Sequence, residues 1–263
     1  MERSMREALA EDRFLLHYQP ILNIGSGRVE SAEALLRWPD NGAWISPGEF
    51  IPIAEECGLI VPLGDWVVRK AGQDAAQWPE TMSVAVNVSP LQFKAGNLIQ
   101  SIRAALLQSG LAAERLKIEI TESLPLDNTT DVVATLNAIR ALGVRIALDD
   151  FGTGYSSLKY LTSFPFSRLK VDRSFVSGLP RAIENLAVIK AAAALGRDLV
   201  MDIVVEGVET EEQLAAVKAA GCKHIQGVFF RATNAARGIR RSDCTSEKHL
   251  PHARRAYGGG IRG

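Results

Sequence analysis

Cysteine is scarce in this 263-residue chain, which holds only Cys57, Cys222 and Cys244. An odd number without metal-ligand spacing supports neither a disulfide framework nor a zinc site, and it fits a reducing, cytoplasmic setting. Long hydrophobic runs are missing as well. The one around Ala191 to Leu195 falls far short of the ~20 residues that a membrane-spanning helix needs, so no span is expected. The opening stretch MERSMREALAEDRF alternates charged with apolar residues and does not read as a secretory signal. Net charge is absent too, with 30 basic and 30 acidic residues, but its distribution is uneven. From Gly227 onward eight basic residues face two acidic ones, which leaves 22 basic against 28 acidic in the first 226. An acidic body is poorly suited to gripping DNA or RNA through counterion release, whereas clustered acids suit metal ions.

What is present is a rhythm. Short apolar runs, at Phe14 to Ile21, Val29 to Leu36, Ser83 to Val88, Leu116 to Ile120, Val144 to Leu148, Arg168 to Val171, Asp202 to Val205 and one ending near Gln226, make eight candidate strands. Between them Pro62 to Gln77, Leu91 to Gln108, Asp131 to Leu142, Pro180 to Leu199 and Glu211 to Ala220 show apolar residues at helical spacing. Gly110, Gly143 and Gly221 fall where such helices should stop. The alternation predicts an α/β fold with a parallel sheet, either a closed eight-stranded barrel or an open doubly wound sheet. The first two strands are joined only by the turn at Gly25 to Gly27, too short for a parallel crossover, so that pair is an antiparallel hairpin and a uniform eightfold repeat is excluded.

After Gln226 the pattern weakens, and residues 231–263 read as a basic, poorly ordered tail beyond a domain of residues 1–230. Ala232, Ala235, Ala236 and Ile239 offer a weak amphipathic helix as a substitute for a last barrel helix.

Polar residues collect where the candidate strands end: Glu33, Asn87, Glu119, Asp149, Asp150, Lys170, Glu206 and Gln226. A lone strand-end carboxylate is ordinarily a cap or a surface ion pair, but in a parallel barrel all these ends open on one face, so eight such groups converge. Carboxylates brought together repel one another unless a cation neutralises them. Ligands of this kind, oxygen-bearing and without His or Cys, select hard ions such as Mg²⁺ or Mn²⁺, and the adjacent Asp149 and Asp150 could each reach a different ion. Lys170 reads as a fixed ammonium that stabilises charge developing on phosphorus, with Asp172 orienting it. Glu122 and Glu209 fit supporting roles better than direct chemistry. The loop DDFGTGYSSL lacks Walker spacing and reads either as a mobile lid or as a plain turn capped by Thr153 or Ser156.

The segments EALLRW (Glu33 to Trp38), VNVS (Val86 to Ser89), EITES (Glu119 to Ser123), DDFGTGYSSL (Asp149 to Leu158), LKVDRSFV (Leu169 to Val176) and VVEGVET (Val204 to Thr210) together resemble the EAL domain family. HYQPI (His17 to Ile21) and SPGEFIPIAEECGLI (Ser46 to Ile60) extend the likeness over residues 1 to about 230. The resemblance implies a modified TIM barrel with an antiparallel first strand, acting as a bacterial phosphodiesterase that opens cyclic di-GMP to linear pGpG. It implies Glu33, Asn87, Glu119 and Asp149 as ligands of one ion and Asp150 for a second. Lys170 would contact the attacking water or its metal, and Glu206 would be a general base or second-metal ligand. Gln226 would help hold the water. Gln19, Leu35 and Arg37 would contact the nucleotide, the arginine through a phosphate. Glu122 would anchor the DDFG loop, which in the family lies near a dimer interface, so a homodimer and a regulatory or sensory domain outside this chain are expected. Family members usually continue after the glutamine with a GY, FxxP and PxP-like run and a final helix, where this chain has GVFFRATNAARG. That altered C-terminus leaves a catalytically weak or silent cyclic di-GMP receptor as the alternative function.

Overall fold

A computed structural model describes residues 1–40, 42–122, 130–154, 161 and 164–227 of the chain. The tail, the substitute helix at Ala232 to Ile239 and the Ser156 cap lie outside the described residues.

The strands are β1 (Leu15–Asn23), β2 (Arg28–Asp40), β3 (Ala43–Ile45), β4 (Ser83–Asn87), β5 (Leu116–Thr121), β6 (Arg145–Phe151), β7 (Arg168–Val171), β8 (Asp202–Glu206) and β9 (His224–Gln226). Their order is β1-β9-β8-β7-β6-β5-β4-β2-β3, and β1 pairs back onto β2, which closes eight of them into a barrel with β3 as an outer flap. The open sheet is thereby eliminated. From β2 through β4 to β9 the barrel neighbours are parallel, whereas β1 is antiparallel to both β2 and β9. The short turn dictates this, because the four residues Ile24 to Gly27 can reverse a chain but cannot carry it back across a sheet. Strands β4, β5, β7 and β9 are almost wholly buried, as parallel strands are when helices cover one face and barrel side chains fill the other.

Helices α2 (Pro47–Glu56), α3 (Ile60–Ala76), α4 (Pro90–Ala95), α5 (Leu98–Ser109) and α6 (Thr130–Ala141) lie among the first strands, and α7 (Ile183–Asp198) and α8 (Glu211–Ala219) flank β8. Helix α3 turns Leu63, Val67, Ala71 and Ala75 inward, and its Gly64 admits the Gln92 side chain so closely that a Cβ there would lie 2.1 Å from Nε2. The run Leu91 to Gln108 is two helices rather than one. Gly96 takes a left-handed φ of 75° and ends α4, and α5 then runs to Gly110 with φ 69°. Among the elements not foreseen from periodicity are β3, α2 and an N-terminal α1 (Glu2–Ala10) that buries Met5 and Ala8.

Candidate active site at the mouth of the barrel

Inward-facing residues alternate along each strand, so Glu33 on β2, Asn87 on β4, Glu119 on β5, Asp149 on β6, Lys170 on β7, Glu206 on β8 and Gln226 on β9 all reach the end of the barrel where the parallel strands finish. Lys170 stands at their centre, 1% exposed. Its Nζ donates to Glu33 Oε2 at 3.0 Å, Glu119 Oε2 at 2.9 Å and Asp149 Oδ2 at 3.0 Å, and it lies 2.7 Å from Glu206 Oε1. Four carboxylates, not Asp172, therefore orient it; Asp172 instead accepts from the Ser174 N–H and caps the turn after β7.

Glu33 is held most firmly. Gln226 Nε2 donates to its Oε2 at 2.6 Å and Asn87 Nδ2 to its Oε1 at 2.7 Å. The same Gln226 nitrogen donates to Gln19 Oε1 at 3.1 Å, so these two sequence candidates meet beside Glu33. Leu35 and Arg37 stand farther along β2 and, with Asn87, line a cavity of about 320 Å³ that runs back to Ile51, Leu63 and Gln92.

Asp150 reaches the site through a backbone irregularity. Successive residues of a regular strand face opposite sides, yet the β6–β7 register shifts between Leu148 and Phe151 and Asp150 takes φ 55°. Its N–H donates to Asp149 Oδ1 at 2.9 Å, and its carboxylate joins those of Asp149 and Glu206. Just beyond, Glu122 accepts from the Gly152 N–H at 2.9 Å on one oxygen and from the Gly154 N–H at 3.0 Å on the other, which ties the start of the DDFG loop to the end of β5. Glu209 is exposed, and its N–H is bonded to Gln213 at the start of α8.

The electrostatics follow from five carboxylates sharing one ammonium. Burial drives the Glu119 pKa up to about 8; the attraction of Lys170 opposes this, while Glu33 and Asp149 add repulsion. Burial likewise raises Glu206 to about 7 and moves Asp149 upward. Asp150 is raised by burial and by the charges of Asp149 and Asp172. Glu33 differs: burial pushes it up, but Lys170 and the bonds from Gln226 and Asn87 together bring it below its ordinary value. Burial works against the Lys170 charge, yet its ring of acids lifts its pKa well above normal.

Two sets of carboxylates, Glu33 with Glu119 and Asp149, and Asp149 with Asp150 and Glu206, each place one oxygen per residue within 4.8 Å of the others. Glu119 Oε1 and Gln226 Oε1 are buried and have no hydrogen-bond partner among the described residues. Crowded carboxylate oxygens with an unused buried lone pair fit a hard divalent cation.

Sequence reasoning missed the opposite end of the barrel. Lys117 and Arg168 lie two residues before Glu119 and Lys170 on the same inner faces, 4% and 2% exposed. Lys117 donates to Ser83 Oγ at 2.8 Å and Arg168 to Ser31 Oγ at 2.9 Å. The period of two in LKIE and RLK was the available signal.

A closed, mainly parallel barrel with its ionisable groups gathered where the strands end has the architecture of barrel enzymes. The chain belongs to the EAL domain family, whose model matches residues 2–233. It is 49% identical over 231 residues to the uncharacterized protein y4lL of Sinorhizobium fredii, covering 88% of this chain and 28% of that protein. It is 42% identical over 232 residues to the bifunctional diguanylate cyclase/cyclic di-GMP phosphodiesterase MucR of Pseudomonas aeruginosa, covering 86% of this chain and 34% of MucR. Among solved structures, the PaMucR phosphodiesterase in complex with c-di-GMP superposes with a TM-score of 0.83 at 39% identity, over 92% of this chain and 98% of that one. The chain thus spans about a third of the length of these curated relatives. No described helix is long and apolar enough to cross a membrane.

Proposed function

We propose that this domain hydrolyses cyclic di-GMP to linear pGpG with two divalent ions, Mg²⁺ or Mn²⁺. The observation that carries the reading is the ring of Glu33, Glu119, Asp149 and Glu206 around Lys170, with Asp150 turned into it. Glu33, Asn87, Glu119 and Asp149 would hold one ion and Asp150 would serve the second. Ions there would polarise the phosphodiester and acidify the attacking water.

Each side chain then has a task. Asn87 donates an amide N–H to Glu33, which leaves its carbonyl oxygen as the ligand. Glu206, with a pKa near 7, suits a base that takes the proton of the attacking water. Gln226 anchors Glu33 through its nitrogen and keeps its buried oxygen for the second proton of that water. Lys170 supplies fixed positive charge as negative charge builds on phosphorus. Leu35 and Arg37 would receive the nucleotide along their cavity, with Gln19 beside Glu33, and the guanidinium of Arg37 would grip a phosphate oxygen. Water adds to phosphorus, the bond from phosphorus to the ribose 3′ oxygen breaks, and that oxygen leaves with a proton. Glu122 keeps the loop bearing Asp150 in place. The functional form would be a cytoplasmic homodimer answering to a regulatory domain elsewhere in a longer protein.

The test is release of pGpG from cyclic di-GMP by the purified chain with and without Mg²⁺ or Mn²⁺. Turnover that requires the metal and disappears in Glu33→Ala supports the reading. Hydrolysis surviving EDTA overturns it, and metal-dependent binding of cyclic di-GMP without turnover identifies a receptor instead.

A further inference from the structure

We propose that Arg168, one layer beneath the mouth, is a positioning charge that sets how tightly the carboxylate ring takes up divalent cations. The inference rests on the metal-binding reading above. Arg168 precedes Lys170 by two residues on β7, so its side chain enters the barrel on the same face, ~6.6 Å farther from the mouth. It is 2% exposed, and Ser31, which accepts from its Nη1 at 2.9 Å, stands two residues before Glu33 on β2.

Its charge is only partly answered where it lies. Among the described residues a single carboxylate is bonded to it, that of Asp202, 3.4 Å from Nη2 with a side chain 45% exposed; Ser31 is neutral, and Nε has no hydrogen-bond partner. A buried charge left under-compensated projects its field through the low-dielectric interior, here toward the acids above. Burial lowers the guanidinium pKa, and the carboxylates of Asp202 and then Glu119 work against that, which places the floor and the mouth in one electrostatic system. Because an arginine stays protonated throughout the working range, this is a constant rather than a switched influence. A cation beneath the ring repels a second cation entering above, and this repulsion outweighs its opposing effect of keeping the carboxylates deprotonated at pH 8, where most of the ring acids are already ionised. Asp202 acts in the opposite sense by offsetting Arg168.

The two residues therefore make opposite predictions, which a general loosening of the barrel would not. Mn²⁺ binding to the full chain is measured by the loss of free-ion electron paramagnetic resonance signal at pH 8 and low salt. Removing the charge with Arg168→Met should tighten binding by roughly tenfold, because a unit charge ~10 Å from a divalent ion at an effective dielectric of 20 amounts to on the order of 10²-fold, of which Asp202 and protons regained by the ring offset a part. Arg168→Lys should restore the wild-type affinity. Asp202→Asn, a change at a half-exposed side chain that keeps its shape, should weaken binding by about threefold and tests the idea even where Arg168→Met fails to fold. Unchanged affinity in Asp202→Asn, or shifts of the same sign in both variants, would overturn the proposal while leaving the metal site standing. A wild-type chain that binds no Mn²⁺ would remove the metal reading and this inference with it.

Discussion

The two ends of the barrel interior carry opposite charge and meet its cost differently. At the floor, Lys117 and Arg168 each lean on a serine hydroxyl, and Asp202 reaches Arg168 from a half-exposed position. At the mouth, Glu33, Glu119, Asp149, Asp150 and Glu206 crowd around one lysine, and a buried Glu119 oxygen has no partner among the described residues. Burial pushes the Lys117 pKa down to about 7, so the floor can shed charge by losing a proton. The mouth relieves itself by gaining protons or cations, and only the second leaves its oxygens available as ligands. An interior built for stability alone would place apolar side chains at both ends, so the unrelieved end marks where chemistry takes place.

The largest expected effect comes from relieving the mouth by mutation. Asp149→Asn keeps the shape, removes one of five like charges and withdraws a ligand shared by both carboxylate sets. Turnover of cyclic di-GMP should fall at least ~10³-fold, about 4 kcal/mol of transition-state stabilisation. In metal-free buffer the same variant should melt higher than the wild type. A lower melting temperature would show that the acids at the mouth are structural partners rather than a strained ligand set.

Next in size is the response to pH. Glu119 and Glu206 have folded pKa values of about 8 and about 7 against an ordinary 4.5, so between pH 5 and 8 the folded chain holds protons that the unfolded chain has released. Metal-free stability must therefore fall as pH rises through that window, by on the order of 2–5 kcal/mol. Glu33, whose pKa is lowered, acts the other way: its contribution is lost as pH falls below its ordinary value, which lies outside the window. Saturating Mg²⁺ or Mn²⁺ should flatten or reverse the slope, because a bound cation replaces the protons. Denaturant titrations at pH 5, 6.5 and 8 with EDTA or metal read this directly, and a slope unaffected by metal would detach the raised pKa values from cation binding.

A smaller effect is expected where the mouth is tied down from outside. Glu122→Ala removes the acceptors of the Gly152 and Gly154 N–H groups and frees the backbone just after Asp150. Turnover should drop about tenfold, as it commonly does when a supporting partner of a metal ligand is lost, with stability down only ~1–2 kcal/mol. Comparable losses of turnover and stability would make the contact purely structural.

The legible and illegible parts of the site divide by range. The hairpin at Gly25 to Gly27, the αL stop at Gly110 and the period that puts Glu119 and Lys170 on inner faces are local, and each was readable residue by residue. Convergence of the acids required only that the sheet close. The Lys170 network itself was not readable, since nothing in LKVD states that one ammonium meets four carboxylates from four other strands. Lys117 and Arg168 were passed over because a basic residue beside a strand is ordinarily solvated, and their burial depends on the whole barrel. The turn of Asp150 into the site depends on a register shift against β7, a strand 17 residues farther along the chain. The break of Leu91 to Gln108 at Gly96 did have a local signal, a glycine followed by asparagine, which the apolar period on either side outweighed.

Strain of one kind occurs at both ends, and it supplies the smallest test of the contrast. Asp150 at the mouth and Val200 at the floor have nearly the same left-handed φ, 55° and 56°. Aspartate tolerates that region, and there it turns a carboxylate toward Asp149 and Glu206. Val200 is β-branched, 90% exposed, and follows α7 where a glycine would ordinarily stop the helix. Its conformation closes the helix, with the Met201 N–H donating to the Gly196 carbonyl at 2.8 Å, and brings no side chain to a site. Val200→Gly should stabilise the chain by ~0.5–1 kcal/mol, the relief of a crowded Cβ less the entropy a glycine adds to the unfolded state, and leave turnover unchanged. Asp150→Gly keeps the same backbone freedom but deletes a carboxylate from the second ligand set, so it should abolish metal-dependent turnover without destabilising the fold. If both glycines proved equally harmless to catalysis, the left-handed turn at Asp150 would be an accident of the bulge, and the mouth would work with the first carboxylate set alone.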